Sequence, residues 1–265
     1  MRGWVALVVA GFRRYATYRV ATAASAFTNT VFGLLRASIT VATVGAAGGT
    51  LAGYDARTVA TYAWLTQALI GPVQVFQWTE LAQQVRTGAV AVDLVRPMDL
   101  QAQYLATNLG RAAYMLLPRG LPPLLVGALT FGLTLPTDVW PWAAGAVSVL
   151  LAVQISFACQ FLVNLAAFWL LEIRGVMILY VVTSGVLCGL YLPVHWFPPW
   201  LSTLAAATPF PSMLQTPVDL LTGRLATPSA AVGALAVQLA WAVGMLALGR
   251  LVLAVATRRL VVQGG

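Results

Sequence analysis

Residues 140–171 read WPWAAGAVSVLLAVQISFACQFLVNLAAFWLL, a run without one Asp, Glu, Lys or Arg. A helix that crosses the hydrocarbon core of a bilayer needs about 20 mostly apolar residues, and this run exceeds that length. Trp140 and Trp142 stand at its start, where amphipathic rings anchor at the membrane–water boundary, and Glu172 and Arg174 close it. The stretch reads as a transmembrane helix, and the rest of the chain agrees. Of 265 residues, 60% are hydrophobic and 8% charged, against about 25% charged in soluble domains. Water cannot be the main solvent of such a chain, and one membrane-embedded domain over 1–265 accounts for nearly all of it.

Working outward from residues 140–171, the same reasoning yields an all-α membrane protein with six transmembrane helices. Residues 2–17 place Arg2, Ala6, Ala10, Arg13 and Thr17 on one helical face and Trp4, Val8, Phe12 and Tyr15 on the other. That pattern predicts an amphipathic helix along the membrane surface. It is not a cleaved signal, because Arg13, Arg14 and Arg19 follow the apolar stretch where a cleavage site would stand. Spans are predicted over 21–47 and 58–78, with Gly48, Gly49, Gly53 and Asp55 in the turn between them. A polar loop occupies 80–103. The apolar run over 104–133 is interrupted: Pro118, Pro122 and Pro123 kink it, and Arg111 and Arg119 put its first half near water or against protein. A fifth span covers 175–192 and a sixth 229–254. Between them, residues 191–224 carry six prolines interleaved with Trp196, Phe197 and Trp200. The composition predicts two short interfacial or re-entrant helices on the outer side, with Gly223 as a C-terminal cap.

Orientation follows from the arginines. All fifteen basic residues are Arg, a bias that points to a GC-rich genome. With the N-terminus inside, Arg2, Arg13, Arg14, Arg19, Arg86, Arg96, Arg174, Arg258 and Arg259 face the cytoplasm, and only Arg57 and Arg224 face out. The positive-inside rule then places both termini in the cytoplasm. The net charge of +8 does not indicate nucleic acid as a partner, because these arginines sit at helix ends and form no basic face interleaved with exposed aromatics.

Catalysis finds little support. The single histidine, His195, has no acidic neighbour in sequence and makes a poor metal ligand or general base. Cys159 and Cys188 lie inside apolar spans without the paired spacing of a metal or redox site. Ser184-Gly185 resembles part of a serine intramembrane protease motif, but Val182 stands where that motif wants Gly. No carboxylate reaches mid-membrane: Asp55, Asp138 and Asp219 fall outside, Glu80, Asp93 and Asp99 inside, and Glu172 at a span end. A cation-coupled carrier is disfavoured on that ground. A chain without Lys also lacks the Gly-rich loop ending in Lys-Ser or Lys-Thr that cradles nucleotide phosphates. Any ATP-driven work falls to another subunit, so ATP and Mg belong to a partner and this chain needs no cofactor or metal.

The polar loop is the natural place for such a partner. Leu81, Val85, Gly88, Val92 and Val95 recur at helical spacing, and Pro97 ends the pattern. An ordinary polar connection with Arg at the membrane face fits the same charges. Three features now come together: the amphipathic first helix, the loop Val85-Arg-Thr-Gly-Ala-Val-Ala-Val-Asp-Leu-Val-Arg-Pro-Met-Asp99, and the outer Phe197-Pro-Pro-Trp200 and Thr208-Pro-Phe-Pro211 motifs. In this order among six spans they resemble the type-two family of ABC exporter permeases, in the branch with paired permeases. The resemblance covers essentially the whole chain, with Gly88 through Asp99 its most specific piece. It implies ATPase coupling through Arg86, Gly88, Asp93, Leu94, Arg96, Pro97 and Asp99. It also implies ABC ATPase subunits and a second permease subunit as partners, a path where first and fifth spans meet, and a multi-pass location in membrane lipid of a bacterial plasma membrane. A secondary carrier or channel, an intramembrane enzyme and an assembly factor remain as alternatives.

Polar positions inside the spans complete the expectations. Ser25, Asn29, Arg36 and Thr40 share one face of the first span and are expected to line the path or a dimer interface. Arg36 stands well inside, where a cation costs about 2.5–3.5 kcal/mol on insertion scales. It either snorkels to the interface or finds carbonyls, a partner subunit, water or an anionic substrate group. Ser156, Gln160 and Asn164 lie one turn apart on the fourth span, the pattern of interhelical hydrogen bonding, with substrate contact as the alternative. Gly185 and Gly189 form a small-xxx-small pair on the fifth and are placed with the path or dimer interface.

Overall fold

The computed structural model describes residues 2–76, 78–225 and 227–259, without the side chains of Arg2, Arg19 and Arg259. Their place in the arginine asymmetry, and the chain ends at Met1 and 260–265, lie outside the described residues. Among the described residues, twelve α-helices follow in chain order: α1 Arg2–Ala16, α2 Arg19–Ala46, α3 Ala56–Val73, α4 Glu80–Arg86, α5 Val90–Leu94, α6 Leu100–Met115, α7 Leu121–Phe131, α8 Val139–Leu165, α9 Arg174–Leu187, α10 Pro199–Ala206, α11 Gln215–Leu221 and α12 Pro228–Ala256. A π-helical turn, Leu116–Gly120, joins α6 to α7. It contains Pro118, whose missing N–H is one cause of the local change in winding. Among the described residues there are no strands, and four continuous helical segments are long and apolar enough to cross a membrane: Val20–Ala46, Leu100–Phe131, Val139–Phe168 and Pro228–Ala256. The chain is an all-α membrane protein.

Two of the expected spans differ from these four, for different reasons. The α3 helix is about 27 Å long at 1.5 Å per residue, but it carries Thr61, Thr66 and Gln67 and is buried from Val59 to Val73. Packed between α2, α6, α7 and α8, it presents little surface to lipid, so its sequence is less apolar than a lipid-facing helix requires. Its Trp64 is wedged between α2 and α7: a Cβ on Gly33 would lie 2.4 Å from the indole and one on Gly127 2.5 Å. The α9 helix ends at Leu187, short of the expected residue 192. The chain leaves it through Gly189 at φ +83, where the Tyr62 hydroxyl donates to the Gly189 carbonyl at 2.7 Å. Gly185 is inside α9 and Gly189 beyond its end, so the pair does not form one helical stripe.

The loop expected to carry a single helical pattern is split. Gly88 adopts φ +75, and the chain turns there between α4 and α5. The stripe from Leu81 to Val95 is broken as a result: Leu81 and Val90 are buried, while Val92 is 61% and Val95 83% exposed. In the Pro-rich segment two short helices form, α10 with Pro199 in its first turn and α11, and Gly223 follows α11 at φ +74.

Ion pairs define one end of the bundle. Arg14 meets Glu80 at 2.8 Å, Arg86 meets Glu172 at 3.2 Å and Arg250 meets Asp99 at 3.5 Å, gathering α1, α4, the α8–α9 connection, the start of α6 and the last turns of α12. The opposite end holds the turns after α2 and α9. There the Trp196 indole donates to the Leu51 carbonyl at 3.3 Å, and Arg224 donates to the carbonyls of Ala52 and Gly53, each at 3.2 Å.

Candidate functional site

A cleft of about 410 Å³ lies between α2, α3 and the π-helical turn, with one polar wall and several apolar ones. Its polar wall comes from α2, where residues at four- and seven-residue spacing share a face. Asn29 donates to the Gln67 carbonyl at 3.1 Å and to the Arg119 carbonyl at 3.0 Å, and accepts from the Gln67 amide at 2.8 Å. The second carbonyl belongs to the π-helical turn, so one Asn ties three elements together. Arg36 donates to Gln67 Oε1 at 2.9 Å and to Thr66 Oγ1 at 3.0 Å, and its buried Nε has no partner. It does not snorkel; it turns inward to α3. Thr40 bonds its own helix, to the Arg36 carbonyl at 2.8 Å, and is not among the residues lining the cleft.

Arg119 forms the facing wall. The π-helical turn aims its side chain across α3, over Gly71, where a Cβ would lie 2.7 Å from Arg119 Cδ and 2.9 Å from its Cβ. Only a residue without a side chain leaves room for that stem. Arg119 Nε then donates to Ser25 Oγ at 3.1 Å. The apolar walls are Phe32, Phe76, Ile70, Leu190 and Tyr191. Of the sequence-derived set, Ser25, Asn29 and Arg36 come together in this cleft, and Gly185 borders it through Tyr191, whose ring would lie 3.1 Å from an added Cβ.

Arg111 illustrates a cation already satisfied. It donates to the Gly71 carbonyl at 2.7 Å and the Pro72 carbonyl at 2.8 Å, capping the carbonyl-rich end of α3 where a positive charge is favoured. The segment leaving α3 is held by α8. Ser156 donates to the Gln74 carbonyl at 3.2 Å, Gln160 donates to the same oxygen, and Asn164 donates to the Trp78 carbonyl at 2.7 Å while accepting from Ala82 N at 3.0 Å. The polar ladder on α8 thus serves backbone groups that no helix satisfies.

The loop residues form a second constellation at the ion-paired end. Asp99 caps α6 by accepting from Ala102 N at 2.8 Å, Arg96 pairs with Asp93 at 3.1 Å, and Arg86 reaches Glu172. The Glu80 carboxylate, hydrogen-bonded to Arg14, holds that guanidinium's pKa above its ordinary value. Leu94 is half-buried against the cluster of Leu81, Val90 and Leu100. At the opposite end the sequence missed a contact: His195 Nε2 lies 2.9 Å from Asp219 Oδ2, so the histidine has an acidic neighbour in space that it lacks in sequence. Tyr54 stacks under Arg224, 4.2 Å from its guanidinium carbon, and burial, with Asp219 nearby, pushes the tyrosine hydroxyl pKa up. Among the described residues, no three His, Cys, Asp or Glu side chains group as a metal site.

Sequence reasoning also missed Gln67 and Tyr191 as parts of the cleft and Gly71 as the point where Arg119 crosses α3, and took Arg119 only for a sign of packing or water. The Pro-Arg-Gly run at 118–120 was the available signal, since a turn that breaks α-helical winding inside a membrane segment is a frequent mark of function.

Helices long and apolar enough to cross a bilayer, a cleft lined by two arginines and a charged, braced loop at one end make this a multi-pass membrane protein. The family model described as ABC-2 family transporter protein matches residues 32–264, and the chain belongs to that family: it is an ABC-2 type permease, the membrane subunit of an ABC transporter, and its family associates with an ABC ATPase subunit. No curated protein matches the chain, and no solved structure matches it.

Proposed function

We propose that this permease serves an ATP-driven exporter in a bacterial plasma membrane, with ATP and Mg on separate ATPase subunits and this chain as a non-catalytic membrane part. Six spans fit the helices α2, α3, α6–α7, α8, α9 and α12. The residues at the ion-paired end then face the cytoplasm with both termini, since Arg13, Arg14, Arg86, Arg96, Arg174 and Arg258 belong to that side of the chain and only Arg57 and Arg224 to the other. The segments α10 and α11 lie on the outer side as interfacial or re-entrant helices. Two permease copies, identical or related, meet through α2 and α9, whose apolar faces at Phe27, Leu35, Ile39, Leu179 and Val182 are exposed in the single chain. The cleft with Ser25, Asn29 and Arg36 lies along the path.

The observation that carries this reading is the braced segment from Glu80 to Asp99. Buried Leu81 and Val90, with the ion pairs to Arg14, Glu172 and Arg250, fix the segment to four parts of the bundle, while Val92 and Val95 point away from it. A rigid mount with exposed apolar residues beside Arg86 and Arg96 suits docking of a partner that must push on the membrane helices. The test is ATP hydrolysis by the assembled complex. Val92→Glu with Val95→Glu is expected to leave the permease folded and to abolish its effect on the ATPase turnover. Unchanged turnover and assembly would reduce the segment to a connection.

A further inference from the structure

We propose that the cleft between α2, α3 and the π-helical turn is a binding site for the anionic headgroup of an amphiphile, a phosphate-bearing lipid or lipid-linked compound. The inference deepens the path reading given above and rests on it for the step from a bound ligand to a transported one. Two guanidinium groups line the cleft, those of Arg36 and Arg119. Arginine stays charged in proteins, so both bring a full positive charge into a membrane-embedded segment. Neither meets a carboxylate. All seven acidic residues are described, and six are engaged elsewhere: Asp55 caps α3, Asp99 caps α6, Glu80, Asp93 and Glu172 pair with Arg14, Arg96 and Arg86, and Asp219 meets His195, while Asp138 stands before α8 and pairs with neither arginine of the cleft.

The hydrogen bonds of the two arginines are also incomplete. Arg36 gives its terminal nitrogens to the neutral oxygens of Gln67 and Thr66, and its Nε is buried with no acceptor. Arg119 gives only Nε, to Ser25, and its terminal nitrogens have no hydrogen-bond acceptor among the described residues. This contrasts with Arg111 of α6, each of whose three side-chain nitrogens has an acceptor, in two carbonyls and Asn108. A guanidinium in a low-dielectric cleft is matched best by a phosphate or carboxylate taken in forked geometry. The remaining lining excludes a small hydrophilic anion as the best fit: Phe32, Phe76 and Tyr191 are each about half exposed, at 56%, 47% and 52%, and offer apolar surface beside the charges. A ligand with an anionic head and an acyl tail uses both surfaces, and lateral entry from the bilayer needs no passage through water.

The full-length permease, purified in neutral detergent, can be titrated with dioctanoyl phosphatidylglycerol, with dioctanoylglycerol as the tail without the charge, and with inorganic phosphate as the charge without the tail. The phosphatidylglycerol is expected to bind at least about tenfold more tightly than either control. Arg36→Gln and Arg119→Gln are expected to remove that preference. Thr28→Glu, at an exposed position on the cleft rim, supplies a competing carboxylate without disturbing the core and is expected to do the same. Equal affinity for dioctanoylglycerol would overturn the anionic assignment, and equal affinity for inorganic phosphate would overturn the amphiphile. Undiminished phosphatidylglycerol binding by folded Thr28→Glu would place any binding elsewhere. ATPase association, measured on the same preparations, separates the two readings: a permease that keeps its ATPase but shows no lipid preference contradicts this inference alone.

Discussion

Gly11 of α1 and Gly110 of α6 mark a crossing at which the two backbones touch: a Cβ on Gly110 would lie 1.9 Å from the Val8 carbonyl oxygen, and one on Gly11 2.2 Å from the Thr107 carbonyl oxygen. The first helix is therefore packed closely against α6. Of the apolar face read from the sequence, Val8, Phe12 and Tyr15 are partly buried and Trp4 is exposed. Because Arg14 on this helix also holds Glu80, α1 braces the start of the segment proposed to meet the ATPase. Gly11→Val and Gly110→Val are each expected to destabilise the protein by about 1–3 kcal/mol through overpacking. Thermal unfolding in detergent reads this directly; wild-type stability in both variants would mean that α1 is not packed as described.

The capping role of Arg111 gives a second expectation. Removing the guanidinium strands the Pro72 carbonyl and leaves the Gly71 carbonyl only the N–H of Gln74, shared with Ile70, and Arg111→Leu should lower stability by about 1–3 kcal/mol. Arg111→Lys, with a point charge in place of a fork, should recover only part of it. Full recovery by Lys would show that charge alone is needed at the end of α3.

Stability should also depend on Asp55. Its carboxylate accepts from Thr58 N at 2.8 Å and from the Thr58 hydroxyl at 2.8 Å, and these bonds hold its pKa below the usual carboxylate range. A depressed folded pKa stabilises the protein above the unfolded value of about 3.9 and the benefit is lost as pH falls through the folded value. Asp55→Ala should cost about 0.5–2 kcal/mol at neutral pH, and the gap to wild type should close in strong acid. Chemical unfolding at pH 7 and pH 3 measures it; a gap that widens in acid would reverse the sign argued here.

Topology can be checked in a background whose two native thiols are replaced. Cys159 and Cys188 are both free and buried, so small substitutes such as Ala are expected to be tolerated. Single cysteines at Arg96 and Thr137 should then react with a membrane-impermeant reagent from opposite sides. Labelling of both from outside intact cells would contradict the proposed orientation.

The helices were legible because lipid imposes a local demand: a span must be apolar over its own length, and α2, α8 and α12 carry that requirement in consecutive residues. The α3 and α9 helices were less legible in extent. Each is shaped by distant partners, α3 by neighbours that let it keep Gln67 and Thr66, α9 by a Tyr62 hydroxyl reached across 127 positions of chain. The cleft was half readable for the same reason. Ser25, Asn29 and Arg36 share a helical face and declared themselves by period, whereas Arg119 meets Ser25 across 94 positions through a π-helical turn that no periodicity announces. The break at Gly88 was visible as a glycine but not as a corner, since the apolar spacing ran on through it.

The proposed docking of an ATPase on the segment from Glu80 to Asp99 is tested most directly by site-specific photo-crosslinking in native membranes, with the reactive group placed in turn at Val95 and at Trp200, which is 69% exposed on α10. A crosslink from Val95 to an ATP-hydrolysing subunit is expected, and none from Trp200. An ATPase captured from Trp200, or a Val95 probe that reaches no ATPase in membranes where the assembled transporter is present, would contradict the proposed docking.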